Sequence, residues 1–202
     1  MRTQQWLLFG HVIGVIILFG AILLENLILI YALRARSYEQ LRGATTFVPL
    51  LHRLFPAGAL LILGFGIGMV AQSDAFKFGQ AWIDLSLGLL ILLAILGPTV
   101  QGRRIDTFSE AAQHGRSGPL TPELLAQVRD PVLRMATVGS TWLAVGILFL
   151  MARQPDWPGG WITVVVFGLV GIGVALALGR LGPASESSEP PLRTTVDTPP
   201  AN

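Results

Sequence analysis

The stretch HVIGVIILFGAILLENLILIYALRAR, His11 to Arg36, decides the class of this protein. It is apolar along nearly its whole length, yet it carries His11 and Glu25 in its interior. A run of this length reads as a membrane-spanning helix. About 20 residues rising 1.5 Å each cross a hydrocarbon core roughly 30 Å thick. The two polar groups have two readings: a buried functional site, or structural ties between helices.

The rest of the chain agrees with a membrane location. Of 202 residues, 52% are hydrophobic and only 13% charged, too little charge to cover a soluble domain of this size. The mean hydropathy is +0.62. There are no cysteines, which removes disulfides, thiolate-ligated zinc, iron–sulfur clusters and Cys-ligated haem together. The basic pI near 9.7 comes from residues flanking apolar segments, so it speaks for membrane topology and not for nucleic acid.

Five apolar segments follow one another: Trp6–Leu33, Leu54–Ala71 (with a start as early as Thr46), Trp82–Val100, Pro131–Ala152 and Trp161–Gly179. Each is expected to be helical, because an open strand in lipid leaves its backbone groups unpaired. The first is too long for a cleaved signal peptide, and no small-residue cleavage site precedes its arginines. The expected fold class is therefore all-α, a polytopic bundle of five transmembrane helices over residues 1–181.

Arginine placement orients the bundle. Arg34, Arg36, Arg42 and Arg53 follow the first segment, and Arg103, Arg104, Arg116 and Arg129 follow the third. The second and fourth loops hold only Lys77 and Arg153. Positive residues stay inside, so the N-terminus is expected outside and the C-terminus in the cytoplasm of a bacterial inner-membrane protein. Trp6, Trp82, Trp157 and Trp161 then form an outer aromatic belt, with Tyr31 and Tyr38 at the inner edge. In the third loop, Thr121 and Pro122 start a short cytoplasmic helix, Pro122–Val128, and Asp130 caps the fourth membrane helix. His114 reads as a loop residue. Residues 182–202, rich in Pro, Ser and Thr, are expected to form a disordered cytoplasmic tail.

His11, Gly14, Leu18, Ala21 and Glu25 are spaced 3, 4, 3 and 4, one stripe on a helix. Gly14 and Ala21 admit a close helix neighbour, so the stripe faces protein. His11 and Glu25 lie roughly 21 Å apart along the axis and need separate partners. Asp84 is the candidate for His11. The pair could fix an imidazole tautomer, hold a metal ion or pass a proton, or it could be an interfacial hydrogen bond. For Glu25 the candidates are His52 and Arg53, then Arg104 and Arg134. A Glu25–Arg53 pair would be buried and would fix helix register, while an intramembrane carboxylate is also a functional candidate by default. His11 and His52 are the candidate cofactor ligands, for haem or copper, although they sit toward opposite faces. Gly64 with Gly68 and Gly171 with Ala175 make small-residue faces for helix packing. Pro56 and Pro98 are placed to kink helix ends.

Several local patterns carry a resemblance. His11 and Gly14 stand early in the first helix. Arg53 to Ala57 begin a helix that runs on to Gly68. Trp82 opens a helix that ends in the basic turn Gln101 to Arg104, and Leu150 to Pro155 form an LM-x-basic-x-Pro turn. Together they resemble a bacterial family of predicted integral membrane proteins of unknown function, grouped loosely with copper-resistance-D-like membrane proteins. Arg153 stands where that family usually has Lys. The first helix is also similar to that of HemJ-type protoporphyrinogen oxidases, and that similarity stops at the first helix. The first resemblance implies a fold and no activity. The function expected is a non-enzymatic partner or assembly element of a membrane complex, partnered by another membrane protein or by itself within the lipid bilayer. The alternatives are a haem- or metal-handling redox protein using His11/Asp84 or Glu25/His52, and a proton-coupled transporter in which Glu25 titrates.

Overall fold

A computed structural model of the chain describes residues 2–180. The expected tail, 182–202, lies outside the described residues. Among the described residues eight α-helices follow in order: α1 Arg2–Arg34, α2 Tyr38–Thr45, α3 Val48–Ala71, α4 Ala81–Leu96, α5 Arg103–His114, α6 Pro122–Val128, α7 Pro131–Arg153 and α8 Trp157–Arg180. A π-helical turn, Gly97–Gly102, joins α4 to α5 without a break. Among the described residues, five helical stretches are long and apolar enough to cross a membrane. They contain α1, α3, α4, α7 and α8.

The long helices form two packs. α1 lies antiparallel on α3, and α7 packs between α4 and α8. The packs touch only lightly, between α3 and α4 and between α1 and α7. Small residues decide the close contacts. A β-carbon added at Gly14 would stand 2.8 Å from the Ile62 backbone nitrogen, and one at Gly58 would stand 2.9 Å from the Leu18 nitrogen. A β-carbon at Gly171 would stand 3.1 Å from the Gly139 Cα, which brings α8 against α7. The stripe therefore faces protein as its spacing predicts: Gly14, Ala21 and Glu25 are buried. Gly64 differs from expectation. Nothing lies within 4 Å of a β-carbon there, while Gly68 packs against Leu7.

The packs are stitched together at the end that carries the arginine-rich loops. There α2, α5 and α6 cover the ends of α1, α3 and α7, around a core of Phe108, Leu41, Val128, Leu133, Ile28 and Leu51. Each piece has a local cause. The Ser37 hydroxyl accepts from the Gln40 N–H to start α2, and Thr121 accepts from the Leu124 N–H to start α6. The Asp130 carboxylate accepts from the Val132 N–H at 2.8 Å to start α7 and from Arg104 Nε at 2.6 Å, tying α5 to that cap. Gly118, at φ +134°, turns the loop after α5 back onto the α1–α2 connection, where the Tyr38 N–H donates to its carbonyl.

One expectation is corrected here. His114 is the last residue of α5, and its Nδ1 lies 2.9 Å from the Glu110 carbonyl. The helix does not end near Val100. Pro98 lacks a backbone N–H, and the chain passes it in the wider π register instead of breaking.

Candidate functional site

Where the packs separate, toward the α3–α4 turn, they leave a cavity of about 140 Å³. That is close to the size of an apolar cavity known to admit benzene, about 150 Å³. Its wall comes from α1, α3, α4 and α7, with Phe19, Met69, Phe76, Trp82, Ala144 and Met151 among the contributors. The Phe76 and Trp82 rings meet edge to face, with centroids 5.5 Å apart.

Two polar side chains line this apolar space, His11 and Ser86. His11 Nδ1 lies 3.1 Å from the Ile62 carbonyl oxygen. A carbonyl only accepts, so Nδ1–H is the donor in this bond. Gly66 makes the approach possible, since a β-carbon there would stand 3.2 Å from Nδ1. Ser86 is 1% exposed, and its hydroxyl has no hydrogen-bond partner. An unmade buried hydrogen bond of this kind costs about 1–3 kcal/mol, and the oxygen is closed off from the cavity as it is from solvent.

Below the cavity lies a polar seam. Asn26 Nδ2 donates to Thr141 Oγ1 at 2.9 Å, joining α1 to α7, and Gln101 Nε2 donates to Ser140 Oγ at 2.8 Å, joining the π turn to α7. Thr137, also in α7, is fully buried with an unpartnered hydroxyl.

The structure does not join the pairs expected for His11 and Glu25. Asp84 sits in the first turn of α4 and accepts from the Gly79 N–H at 3.1–3.2 Å, while the His11 bond goes to α3. Glu25 is 4% exposed, and among the described residues its carboxylate enters no ion pair. Each cation expected beside it goes elsewhere. Arg53 lies on the exposed face of α3. His52 Nε2 is 3.1 Å from the Asp106 carboxylate of α5. Arg104 holds Asp130, and Arg134 donates to the Ala175 carbonyl of α8. His11 and His52 are also far apart. His11 is level with Ile62, ten residues along α3 from His52, which is about 15 Å of helix. Among the described residues, no three His, Asp or Glu side chains gather where they could hold a metal ion.

A prediction follows for Glu25. With no ion-pair partner to lose, the Glu25→Gln variant keeps shape and burial and removes only the possibility of charge. Its melting temperature in detergent is expected at or above the parent's. A fall of more than about 5 °C would reveal a partner for the carboxylate, since breaking a buried pair is strongly destabilising.

The model of a family described as predicted integral membrane protein (DUF2269) matches residues 5–155. No curated protein and no solved structure matches the chain.

Proposed function

We propose that this chain, which belongs to the DUF2269 family of predicted integral membrane proteins, binds a small lipophilic molecule in the cleft between its two helix packs. The observation that carries the reading is the cavity itself. Apolar walls, aromatic rings and a few placed polar groups between helices of a bundle are the usual make-up of a small-molecule site. The light contact between the packs supports entry from the surrounding lipid. The test uses the full chain in lipid nanodiscs with fluorobenzene as probe. Saturable broadening of its fluorine resonance, beyond that in empty nanodiscs, is expected. Ala144→Phe, which fills the cavity from α7, is expected to remove it. Absence of saturable binding by the parent, or binding unchanged by a folded Ala144→Phe variant, would overturn the reading.

In this reading the protein sits in the bacterial inner membrane. The start of α1 and the cavity face outward, and α2, α5 and α6 face the cytoplasm. The arginines around those three helices support this orientation. A reporter fused after Asn202 is expected to stay cytoplasmic.

A second reading is a partner or assembly element in a membrane complex. α8 favours it. This helix stands at the edge of the bundle on α7 and α4, and nothing lies within 4 Å of β-carbons added at Gly168 and Gly173. Open small residues on an edge helix leave room for a helix of another chain or of a second copy. Gly173→Leu is expected to release a co-purifying membrane protein or dissociate a dimer in mild detergent. A clean monomer from the parent would end this reading.

A further inference from the structure

We infer that the groove between the C-terminal end of α1 and α2 holds an anionic phospholipid, with an acyl chain along α1 and the phosphate at Arg34. The groove is separate from the cleft, and its occupant does not depend on what the cleft binds.

The order of residues along the groove carries the inference. α2 packs beside the end of α1 and leaves an open groove of about 560 Å³, a volume usual for a small-molecule site. Leu24, Leu27, Ile28, Tyr31 and Arg34 follow one face of α1 along one wall, over about 15 Å of helix. Gln40, Gly43 and Ala44 of α2, with Phe47, make the other wall. One end of the groove is therefore aliphatic, within the apolar run of α1. The other end carries an arginine, where that run stops. A phospholipid has its parts in the same order, an apolar chain and then a phosphate. Gly43 keeps the space open, since nothing lies within 4 Å of a β-carbon added there.

Charge decides the headgroup. Arg34 is exposed, and among the described residues it enters no ion pair. The groove wall holds no Asp or Glu. Glu39, next to Gln40 in the chain, is engaged elsewhere, where its carboxylate accepts from the Gly118 N–H at 3.2 Å. A phosphate thus meets an unpaired cation, while the amine of a zwitterionic headgroup finds no carboxylate in the wall. Gln40 Oε1 accepts from the Arg36 N–H at 2.8 Å, so its amide N–H groups remain as donors for a hydroxylated headgroup. A free phosphate leaves the aliphatic wall uncovered. An apolar helix of a second copy covers that wall and leaves Arg34 without an anion.

The experiment is native mass spectrometry of the full chain, released from detergent with dioleoyl phosphatidylglycerol or dioleoyl phosphatidylethanolamine. One arginine at a membrane surface corresponds to about fivefold in binding anionic lipid, and the parent is expected to prefer phosphatidylglycerol by about that factor. Arg34→Gln is expected to cut the preference below about twofold. Arg116 is exposed in the loop after α5 and lies outside the groove, so Arg116→Gln is expected to leave the preference unchanged. Gly43→Leu fills the groove while keeping Arg34, and is expected to weaken both lipids by about threefold or more. Phe47→Ala, at a position 53% exposed, is expected to act in the same direction and decides the matter if Gly43→Leu does not fold. Equal affinity of the parent for the two lipids overturns the inference, as does a preference that survives Arg34→Gln or falls equally with Arg116→Gln. Lipid binding unchanged in a folded Gly43→Leu or Phe47→Ala variant also overturns it. Displacement of the lipid by an equal concentration of glycerol phosphate would assign the site to a soluble anion. A parent dimer that Gly43→Leu dissociates would assign the groove to a second copy, and either result overturns the lipid.

Discussion

Gly14→Leu is expected to separate α1 from α3 and to leave little folded protein after detergent extraction. The substitution drives a branched side chain at a backbone nitrogen, since even a β-carbon would stand 2.8 Å from Ile62 N and 2.9 Å from the Leu61 Cβ. A flexible side chain could swing aside, but the axis of a helix must move as a whole. Overpacking in a closed core costs 1–3 kcal/mol, and a backbone neighbour puts this site at about 3 kcal/mol or more, roughly 6–12 °C of melting temperature. The His11 bond to Ile62 lies on the same contact, so ring binding in the cleft should go with it. Gly64→Leu on the open face of α3 is the control. With nothing within 4 Å, it should shift melting by no more than about 2 °C. Equal behaviour of the two variants would show that the α1–α3 contact does not depend on the missing β-carbon.

The second large effect is expected at Phe108. Among the described residues it is the largest fully buried side chain, in the layer that α2, α5 and α6 build over the long helices. Phe→Ala changes in cores cost about 3–5 kcal/mol, because the transfer energy is lost and a cavity remains. Phe108→Ala should therefore lower melting by roughly 6–20 °C. It should also expose the loop between α5 and α6 to protease, since α5 is anchored to that layer through Ile105, Phe108 and Ala112. Phe108→Leu should recover much of the loss. Melting of the alanine variant within about 2 °C of the parent would mean that the layer contributes little to the fold.

The five spans were legible because each is a long apolar run, and lipid leaves such a run one regular structure. The inward stripe was legible too, since a 3–4 spacing of Gly14, Ala21 and Glu25 fixes one face of a helix. The short helices at the arginine-rich end were harder. α6 has a strong start signal in Thr121–Pro122. α2 and α5 have no long apolar run, and the arginines beside Pro98 look like the end of a span. Their signal was present all the same, in Ser37 before Glu39 and in the spacing of Ile105, Phe108 and Ala112 on α5. Partners were the least legible part. Sequence gives depth along a helix but not which neighbour a side chain meets. His52 and Arg53 are adjacent, yet about 100° of helical rotation sends one toward Asp106 and leaves the other exposed. The cavity was hidden for the same reason. Ser86 attracts notice only as a neighbour of Asp84, and two residues along a helix put them on different faces: the carboxylate closes a turn while the hydroxyl is buried without a partner.

The unbroken run from Ala81 through the π turn to His114 makes a beam about 50 Å long. One arm forms a wall of the cleft, and the other is clamped at Phe108. Between them stands a single point of give, the wide turn Gly97–Gly102, pinned to α7 by Gln101. With no loop in between, the helix that packs through Phe108 at one end is the same helix that walls the cleft at the other.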